Sequence, residues 1–322
     1  MTSGDHVTRV AIQGEPGSYS ECAALDFFAG EDPQIVPCRD YPDLFRAVNE
    51  GTADCMVIPI ENSAAGSVYP YYDLLLEYAT EHGFRVVSER KLRIRHNLIA
   101  HQDAKLEEIT EVWSHFQALD QCRVFLQSHG MRMKAVYDTA GAVQEIAEQG
   151  LRHVAAVGSA QAAADNGMKI LARNITNHVD NYTRFLRVEK NPPPVIAAGK
   201  VKATVVFCIA NREGSLFRTL AAFGSRRGVG IIRMECRPLI GTLSQRWSKF
   251  TRQHGDGEDE GVWDLLYYLD FLAPAAKCDA VLEHLSDLVL ESGGDKAMQL
   301  LGCYDANIPL RDITGEPWRK SR

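Results

Sequence analysis

Four short polar clusters in the front part of the chain carry residue types suited to a small anionic substrate. The first is Gly14-Glu15-Pro16-Gly17-Ser18-Tyr19-Ser20. Its glycines permit a tight turn, and its hydroxyls either cap a helix or face a ligand. The second, Pro59-Ile60-Glu61-Asn62-Ser63-Ala64-Ala65-Gly66-Ser67, brings an amide and hydroxyls to the end of an apolar strand. Gly66 and Ser67 there either close a capped loop or open a helix whose free N–H groups would receive a carboxylate. The third, Trp113-Ser114-His115-Phe116-Gln117, reads as a helix start with Ser114 as its cap. His115 in that first turn is either a capping or surface residue or an acid–base group. The fourth, Asn181-Tyr182-Thr183-Arg184-Phe185-Leu186, sets Thr183 and Arg184 in an otherwise apolar strand. A buried guanidinium needs an anion, either a carboxylate of the protein or a substrate.

These clusters follow apolar strands or open helices. Residues 10–12, 55–60 and 154–157 are apolar without alternation, as strands buried on both faces are. Residues 42–50 have helical spacing, with Leu44, Phe45 and Val48 on one face and Gly51 as the stop. Residues 115–129 read as one helix through Leu119, Cys122 and Leu126, closed by Gly130. Thr139 can cap a helix that buries Val143, Ile146 and Ala147 and ends at Gly150; Ser159 can cap another that stops at Gly167. Strands alternating with helices predict an α/β domain with mostly parallel sheets, whose ligands bind beyond the carboxyl ends of the strands.

Glu189-Lys190-Asn191-Pro192-Pro193-Pro194 can neither continue a helix nor join a central strand, and suits a stiff spacer. Behind it the pattern is strand (203–210), helix (216–227), strand (230–237), long loop, strand (265–271), helix (279–290), strand (298–303). That is a ferredoxin-like βαββαβ order. The charged, Gly- and Ser-rich loop at 241–261 reads as an exposed spacer, and the tail after Asn307 carries no pattern.

At 322 residues and 45% hydrophobic content the chain can bury more than one core. No apolar run approaches the ~20 residues of a membrane span. A net charge of −7 without a long basic run gives no nucleic-acid footprint. Residues 1–7 are polar and carry no signal segment, so a cytoplasmic protein is expected, or a plastid one if the chain is a trimmed mature form. The eight cysteines form no Cys-x-x-Cys pair and several lie in apolar stretches, as reduced buried thiols do. The ten histidines are scattered, so no metal is expected.

Taken in order, these segments resemble the prephenate dehydratase family over nearly the whole chain. Its glycine- and hydroxyl-bearing opening is matched at 14–20 and its Pro-Ile-Glu-Asn-Ser…Gly-Ser block at 59–67. Its Ser-His-Pro-Gln-Ala-Leu segment is matched at 114–119 with Phe116 for the proline, its helix-opening threonine at Thr139, and its Thr-Arg-Phe signature at Thr183-Arg184-Phe185. The resemblance implies a catalytic module at 7–190, made of two α/β lobes around a periplasmic-binding-protein-like cleft. It implies decarboxylative dehydration of prephenate to phenylpyruvate, with no cofactor. It also implies catalytic roles for Thr183, Arg184, Phe185 and His115, and substrate contacts from Ser20, Asn62, Ser63, Gly66, Ser67, Ser114, Gln117 and Thr139. Arg184 with the amide and hydroxyls would hold the two carboxylates. Thr183 would lie nearest the leaving hydroxyl, with His115 as the alternative proton source.

Behind a linker at 191–200, residues 201–306 resemble an ACT domain, an amino-acid-sensing module, followed by a tail at 307–322. Asn211-Arg212-Glu213-Gly214-Ser215-Leu216 is similar to its Gly-Ala-Leu loop, with Ser215 for alanine. Glu235-Cys236-Arg237-Pro238 is similar to its Glu-Ser-Arg-Pro block, with Cys236 for serine. L-phenylalanine as effector and a homodimer or homotetramer are thereby implied. Val36-Pro37-Cys38, Leu301-Gly302-Cys303-Tyr304 and the insertion before Leu265 look like plant arogenate-type members. Arogenate dehydratase, the same chemistry on an amino rather than a keto substrate, is therefore the alternative. A non-catalytic small-molecule sensor is a further reading, though it would have no use for the Thr-Arg-Phe signature beside the Asn62-Ser63 block.

Overall fold

Apolar runs separated by capped turns give, in chain order, β1 (Arg9–Gln13), α1 (Tyr19–Phe27), β2 (Gln34–Cys38), α2 (Tyr41–Asn49), β3 (Cys55–Asn62), β4 (Gly66–Ser67), α3 (Tyr69–His82) and β5 (Phe84–Arg93). There follow β6 (Asn97–Ala100), β7 (Glu111–Ser114), α4 (Phe116–Gln121), α5 (Arg123–Ser128), β8 (Arg132–Ala135), α6 (Thr139–Gln149), β9 (Val154–Gly158), α7 (Ala160–Asp165), β10 (Lys169–Ala172) and β11 (Tyr182–Lys190). The rear part gives β12 (Lys200–Cys208), α8 (Ser215–Gly224), β13 (Gly230–Pro238), β14 (Leu265–Pro274), α9 (Ala275–Glu291), β15 (Met298–Asp305) and β16 (Leu310–Arg311). The structure, a computed structural model, describes residues 7–194, 199–209, 213–224, 228–238, 265–291 and 298–318. The expected loop at 241–261, Asn211 and residues 195–198 of the expected linker lie outside the described residues.

The chain divides into two units: Met1–Tyr71, Glu89–Val188 and Pro309–Arg322 in the first, Tyr72–Ser88 and Glu189–Ile308 in the second. The cut after Val188 falls beside the expected linker. The tail, patternless in sequence, belongs to the first unit because β16 pairs with β5 and Thr314 donates to the Arg93 carbonyl. No helix among the described residues is long and apolar enough to cross a membrane.

In the first unit, β1 lies between β2 and β3, parallel to both, in the order β5-β11-β3-β1-β2. Val10, Ala11, Ile12, Met56, Val57 and Ile58 are wholly buried, which is why these strands do not alternate. A second sheet has the order β10-β6-β9-β7-β8. It is mixed rather than mostly parallel as expected: β7 is parallel to β8 and β9, but β6 is antiparallel to β9 and β10. The core under this sheet includes Leu98, Val112, Leu119, Cys122, Leu126 and Val157.

The second unit orders its strands β13-β14-β12-β15, antiparallel throughout, with α8 and α9 packed against each other. Cys236 is exposed on the outermost strand β13, which departs from the expectation of buried thiols; Cys22, Cys38, Cys55, Cys122, Cys208 and Cys278 are buried.

Candidate active site

A cavity opens in the first unit where parallel strands end and helices begin. The carboxyl ends of β1 and β3 supply Gln13, Pro59 and Asn62, and the strand β11 supplies Thr183 and Phe185. Three helix starts face it: Ser18, Tyr19 and Ser20 at α1, His115, Gln117 and Ala118 at α4, and Asp138 and Thr139 at α6. Helix N-termini present N–H dipoles that favour an anion. Ser18 takes both parts allowed by the sequence, lining the cavity and accepting from Glu21 N at 3.3 Å. Glu21 reaches back to the Gly17 N–H at 2.7 Å, so the turn is fixed from both sides.

The polar floor is a closed set of carboxamides whose orientation is forced by the backbone. Backbone N–H groups of Ala64 and Ala65 point at one end of the Asn62 amide, at 3.0 and 2.9 Å, so that end must be oxygen. Its other end is then a nitrogen, 2.7 Å from Asn181 Oδ1 and 2.9 Å from Thr183 Oγ1. An amide nitrogen cannot accept, so Thr183 Oγ1 accepts from Asn62. The hydroxyl hydrogen of Thr183 remains free to donate toward the cavity that Thr183 lines. The bond from Asn62 also polarises that hydroxyl, since donors in series strengthen one another. Gln121 closes the set: its Nε2 donates to Asn62 Oδ1 at 3.1 Å and its Oε1 accepts from Asn181 Nδ2 at 2.8 Å.

Burial shifts the titratable groups of the cavity toward their uncharged forms. Burial lowers the His115 pKa below 6.5, with Asp138 opposing, so His115 is a neutral imidazole at pH 7. Burial pushes His96 further down, to about 4. Burial raises Asp138 despite the N–H groups it accepts from as the α6 cap, and raises Tyr19 well above 10.

Of the residues singled out in the sequence, Thr183, Phe185, His115, Ser20, Asn62, Gln117 and Thr139 line this cavity. Arg184 does not. Strand alternation turns it to the opposite face of β11, where its Nε lies 2.8 Å from Glu89 Oε2 and its Nη1 3.4 Å from Glu61 Oε2. The anion it faces is the protein's own. Ser114 is wholly buried and donates to the Val157 carbonyl at 2.7 Å, so it caps nothing. Ser63 donates to the Asp180 carbonyl at 3.0 Å and accepts from Tyr182 N at 2.9 Å, a clasp between β3 and β11. Gly66 and Ser67 form the short strand β4 against β3, and the helix opens at Tyr69 instead. The reason is local: Asn62 has already capped the Ala64 and Ala65 N–H groups in a turn. Thr139 is the first helical residue of α6, and Asp138 caps it by accepting from Gly141 N at 2.8 Å.

In the second unit, Gly214 has φ +72 and precedes Ser215, the buried first residue of α8, with Leu216 next. Glu235, Cys236, Arg237 and Pro238 end β13. Arg237 is ion-paired with Asp73 and Glu235 with Arg233.

The sequence reading names Tyr19 only as part of the first cluster and passes over His96, Gln121 and Asp138. Asp138 was findable as an Asp before a helical run. Gln121 and His96 carry no local signal.

The prephenate dehydratase family model matches residues 10–193. An Arabidopsis thaliana protein named arogenate dehydratase/prephenate dehydratase 2, chloroplastic, is 37% identical over 96% of this chain and 76% of its own. A solved prephenate dehydratase from Arthrobacter aurescens in complex with L-Phe superposes with TM-score 0.73 at 26% identity, over 92% of this chain and 89% of that one. A structure described as GqqA, a novel type of quorum quenching acylase, superposes with TM-score 0.74 at 27% identity, over 93% and 98%. On the family model and the plant relative, this chain belongs to the prephenate dehydratase family, hydro-lyases of phenylalanine biosynthesis.

Proposed function

We propose that the cavity takes prephenate and releases phenylpyruvate, carbon dioxide and water, with Thr183 as donor to the departing ring hydroxyl. The observation that carries this is the Asn62–Thr183 bond at 2.9 Å, which leaves the threonine a hydrogen to donate and makes it a better donor. As the C–C bond to the ring carboxylate breaks, its electron pair enters the ring and the C–O bond to the hydroxyl breaks. The hydroxyl departs with a proton passed through Thr183 from solvent. Such proton donation is worth ~10²–10⁴ in rate. Helix starts and the amide floor orient the carboxylates, while Val68, Ile94 and Phe185 give the ring an apolar wall.

Arogenate is the second reading, because the Arabidopsis relative carries both names and Asp138 is the one carboxylate lining the cavity among the described residues. An acylase would need an activated nucleophile. Among the described residues, His96 is bonded to Tyr19 and Gln121 rather than to a cavity serine or cysteine.

The finer architecture is read as two α/β lobes around the cavity followed by an ACT module, supported by the two sheets and the β13-β14-β12-β15 order. The L-Phe complex of the Arthrobacter aurescens protein supports phenylalanine as effector; its site at the second unit, and a homodimer or homotetramer as the assembly, are read from the resemblance to an ACT module alone. The chloroplastic naming of the Arabidopsis relative supports the plastid reading and gives the cytoplasmic one no support.

The test is kcat/KM for prephenate and arogenate side by side, on wild type and Thr183→Val. Turnover of either, lost by roughly 10²–10⁴-fold in the valine variant, is expected. Near-normal turnover by Thr183→Val would overturn the role of Thr183. No turnover by wild type would overturn the activity.

A further inference from the structure

His96 sits between β5 and β6, only 3% exposed, and lines the same cavity. Its Nε2 is 3.0 Å from Gln121 Oε1 and its Nδ1 is 3.2 Å from the Tyr19 hydroxyl, which also donates to the Arg95 carbonyl at 2.8 Å. The direction of the first contact follows from the forced amide set. The Ala64 and Ala65 N–H groups fix the Asn62 oxygen, that oxygen fixes the Gln121 nitrogen, and the remaining end of Gln121 must be an oxygen. An oxygen facing an imidazole nitrogen can only accept, so Nε2 carries a hydrogen. The Tyr19 hydroxyl has a single hydrogen, which it can direct at the Arg95 carbonyl or at Nδ1, and a neutral imidazole whose hydrogen sits on Nε2 has none at Nδ1.

We infer that His96 is a positioning residue, fixed as the neutral tautomer with its hydrogen on Nε2, and that it acts through Gln121 and Asn62 to keep Thr183 a donor. The chain of dependence is short. Without the Nε2–H, Gln121 Oε1 keeps only its bond from Asn181, and its amide can rotate by half a turn. A rotated Gln121 would set oxygen against Asn62 Oδ1; the Ala64 and Ala65 N–H groups still fix which end of that amide is oxygen, so the repulsion displaces the amide and weakens its bond to Thr183. The low pKa of His96, set by burial, agrees with an imidazole that stays neutral throughout the working range. The kinetic part of this inference rests on the dehydratase reading; the tautomer part does not.

Two measurements test it. The first uses wild-type protein labelled with ¹⁵N-histidine, its His96 signals identified by their loss in His96→Gln. One protonated-type nitrogen at Nε2 and one unprotonated-type nitrogen at Nδ1 are expected at pH 7. Hydrogen on Nδ1, or on both nitrogens, would overturn the inference whether or not the protein turns over. The second compares kcat and KM of His96→Leu and His96→Gln. Leucine removes the donor and should lower kcat by roughly 10–100-fold with KM within about threefold, since the misplaced group acts on the reacting atoms. Glutamine, whose Nε2 can reach the imidazole Nε2 position, should restore most of kcat. A folded His96→Leu enzyme with wild-type kcat would overturn the positioning role, as would a His96→Gln variant no better than leucine. Wild type without turnover would instead sink the dehydratase reading, leaving the tautomer to be decided by the spectra.

Discussion

Arg184→Leu removes the cation lying between Glu89 and Glu61 on the face of β11 turned from the cavity. Glu89 is 1% exposed and Arg184 8%, so the variant takes a cation away from a carboxylate with little access to water. Breaking such a pair from one side costs about 3–5 kcal/mol, a large part of the ~5–15 kcal/mol that holds a domain folded. Glu61 contributes little to this figure because its side chain is 36% exposed and can turn to solvent. The double variant Arg184→Leu/Glu89→Leu removes both charges, and should recover to within about 1 kcal/mol of wild type. Urea unfolding followed by circular dichroism, run on wild type, single and double variants, measures this directly. The KM of each folded variant should stay within about threefold of wild type. An Arg184→Leu protein with an unchanged unfolding midpoint and a KM raised a hundredfold would refute the reasoning, because that is how a substrate-carboxylate ligand behaves.

The remaining expectations concern acid stability and two glycines, one before α1 and one before α3. An unfolded histidine protonates near 6.5, whereas buried His96 does so only near about 4. Between these values the unfolded chain holds the extra proton, so stability falls as pH falls, by about 1.4 kcal/mol per unit, and levels off below about 4. His96→Gln should therefore lose about 2 kcal/mol less than wild type between pH 7 and 5, read from urea midpoints; equal losses would show that His96 titrates normally. Gly17→Ala should destabilise by more than about 2 kcal/mol, because φ is +89 and a Cβ would lie 2.9 Å from the Ala162 backbone of α7. Gly66→Ala, with φ +82 but open space around it, should cost only about 1–2 kcal/mol of backbone strain. Thermal unfolding of the two alanine variants, compared directly, checks the difference.

Elements set by their own residues were legible in the sequence. Leu44, Phe45 and Val48 bury the face of α2 that their spacing indicates, and Gly150 ends α6 at φ 63. Where the outcome depends on a distant residue, the reading failed. The helix expected at 115–129 breaks at Cys122 because Asn177 intervenes. Its side chain accepts from Val124 N at 3.1 Å and donates to the Asp120 carbonyl at 3.0 Å, and its backbone N–H donates to the Gln121 carbonyl at 2.7 Å. Ser114 looked like a cap, but Val157 takes its hydroxyl from across the sheet. The candidate site divides in the same way. Asn62 and Thr183 stand in recognisable blocks, whereas Gln121 lay inside what read as an ordinary amphipathic helix. His96 lies in Arg95-His96-Asn97, a stretch with no periodicity, and only the fold brings Tyr19 and Gln121 to its two nitrogens.

The placement of Arg184 bears on how the proposed reaction is catalysed. Loss of carbon dioxide moves negative charge from the ring carboxylate toward the leaving oxygen. A lysine or arginine fixed on that carboxylate would hold the charge where it starts, stabilising bound substrate more than the transition state. Among the described residues the cavity is lined by amides, hydroxyls, imidazoles held neutral, helix starts and the one carboxyl of Asp138, with no lysine or arginine. Helix starts attract a dianion without binding it as an ion pair does, a contribution of order 0.3–1 kcal/mol each at a surface. The strongest directed donor, Thr183 fed by Asn62, is then available for the oxygen that gains charge, where a preorganised dipole contributes most. A strand that alternates Thr183 and Phe185 inward with Arg184 outward thus puts the donor and the apolar wall in the cavity and keeps the strong cation behind it.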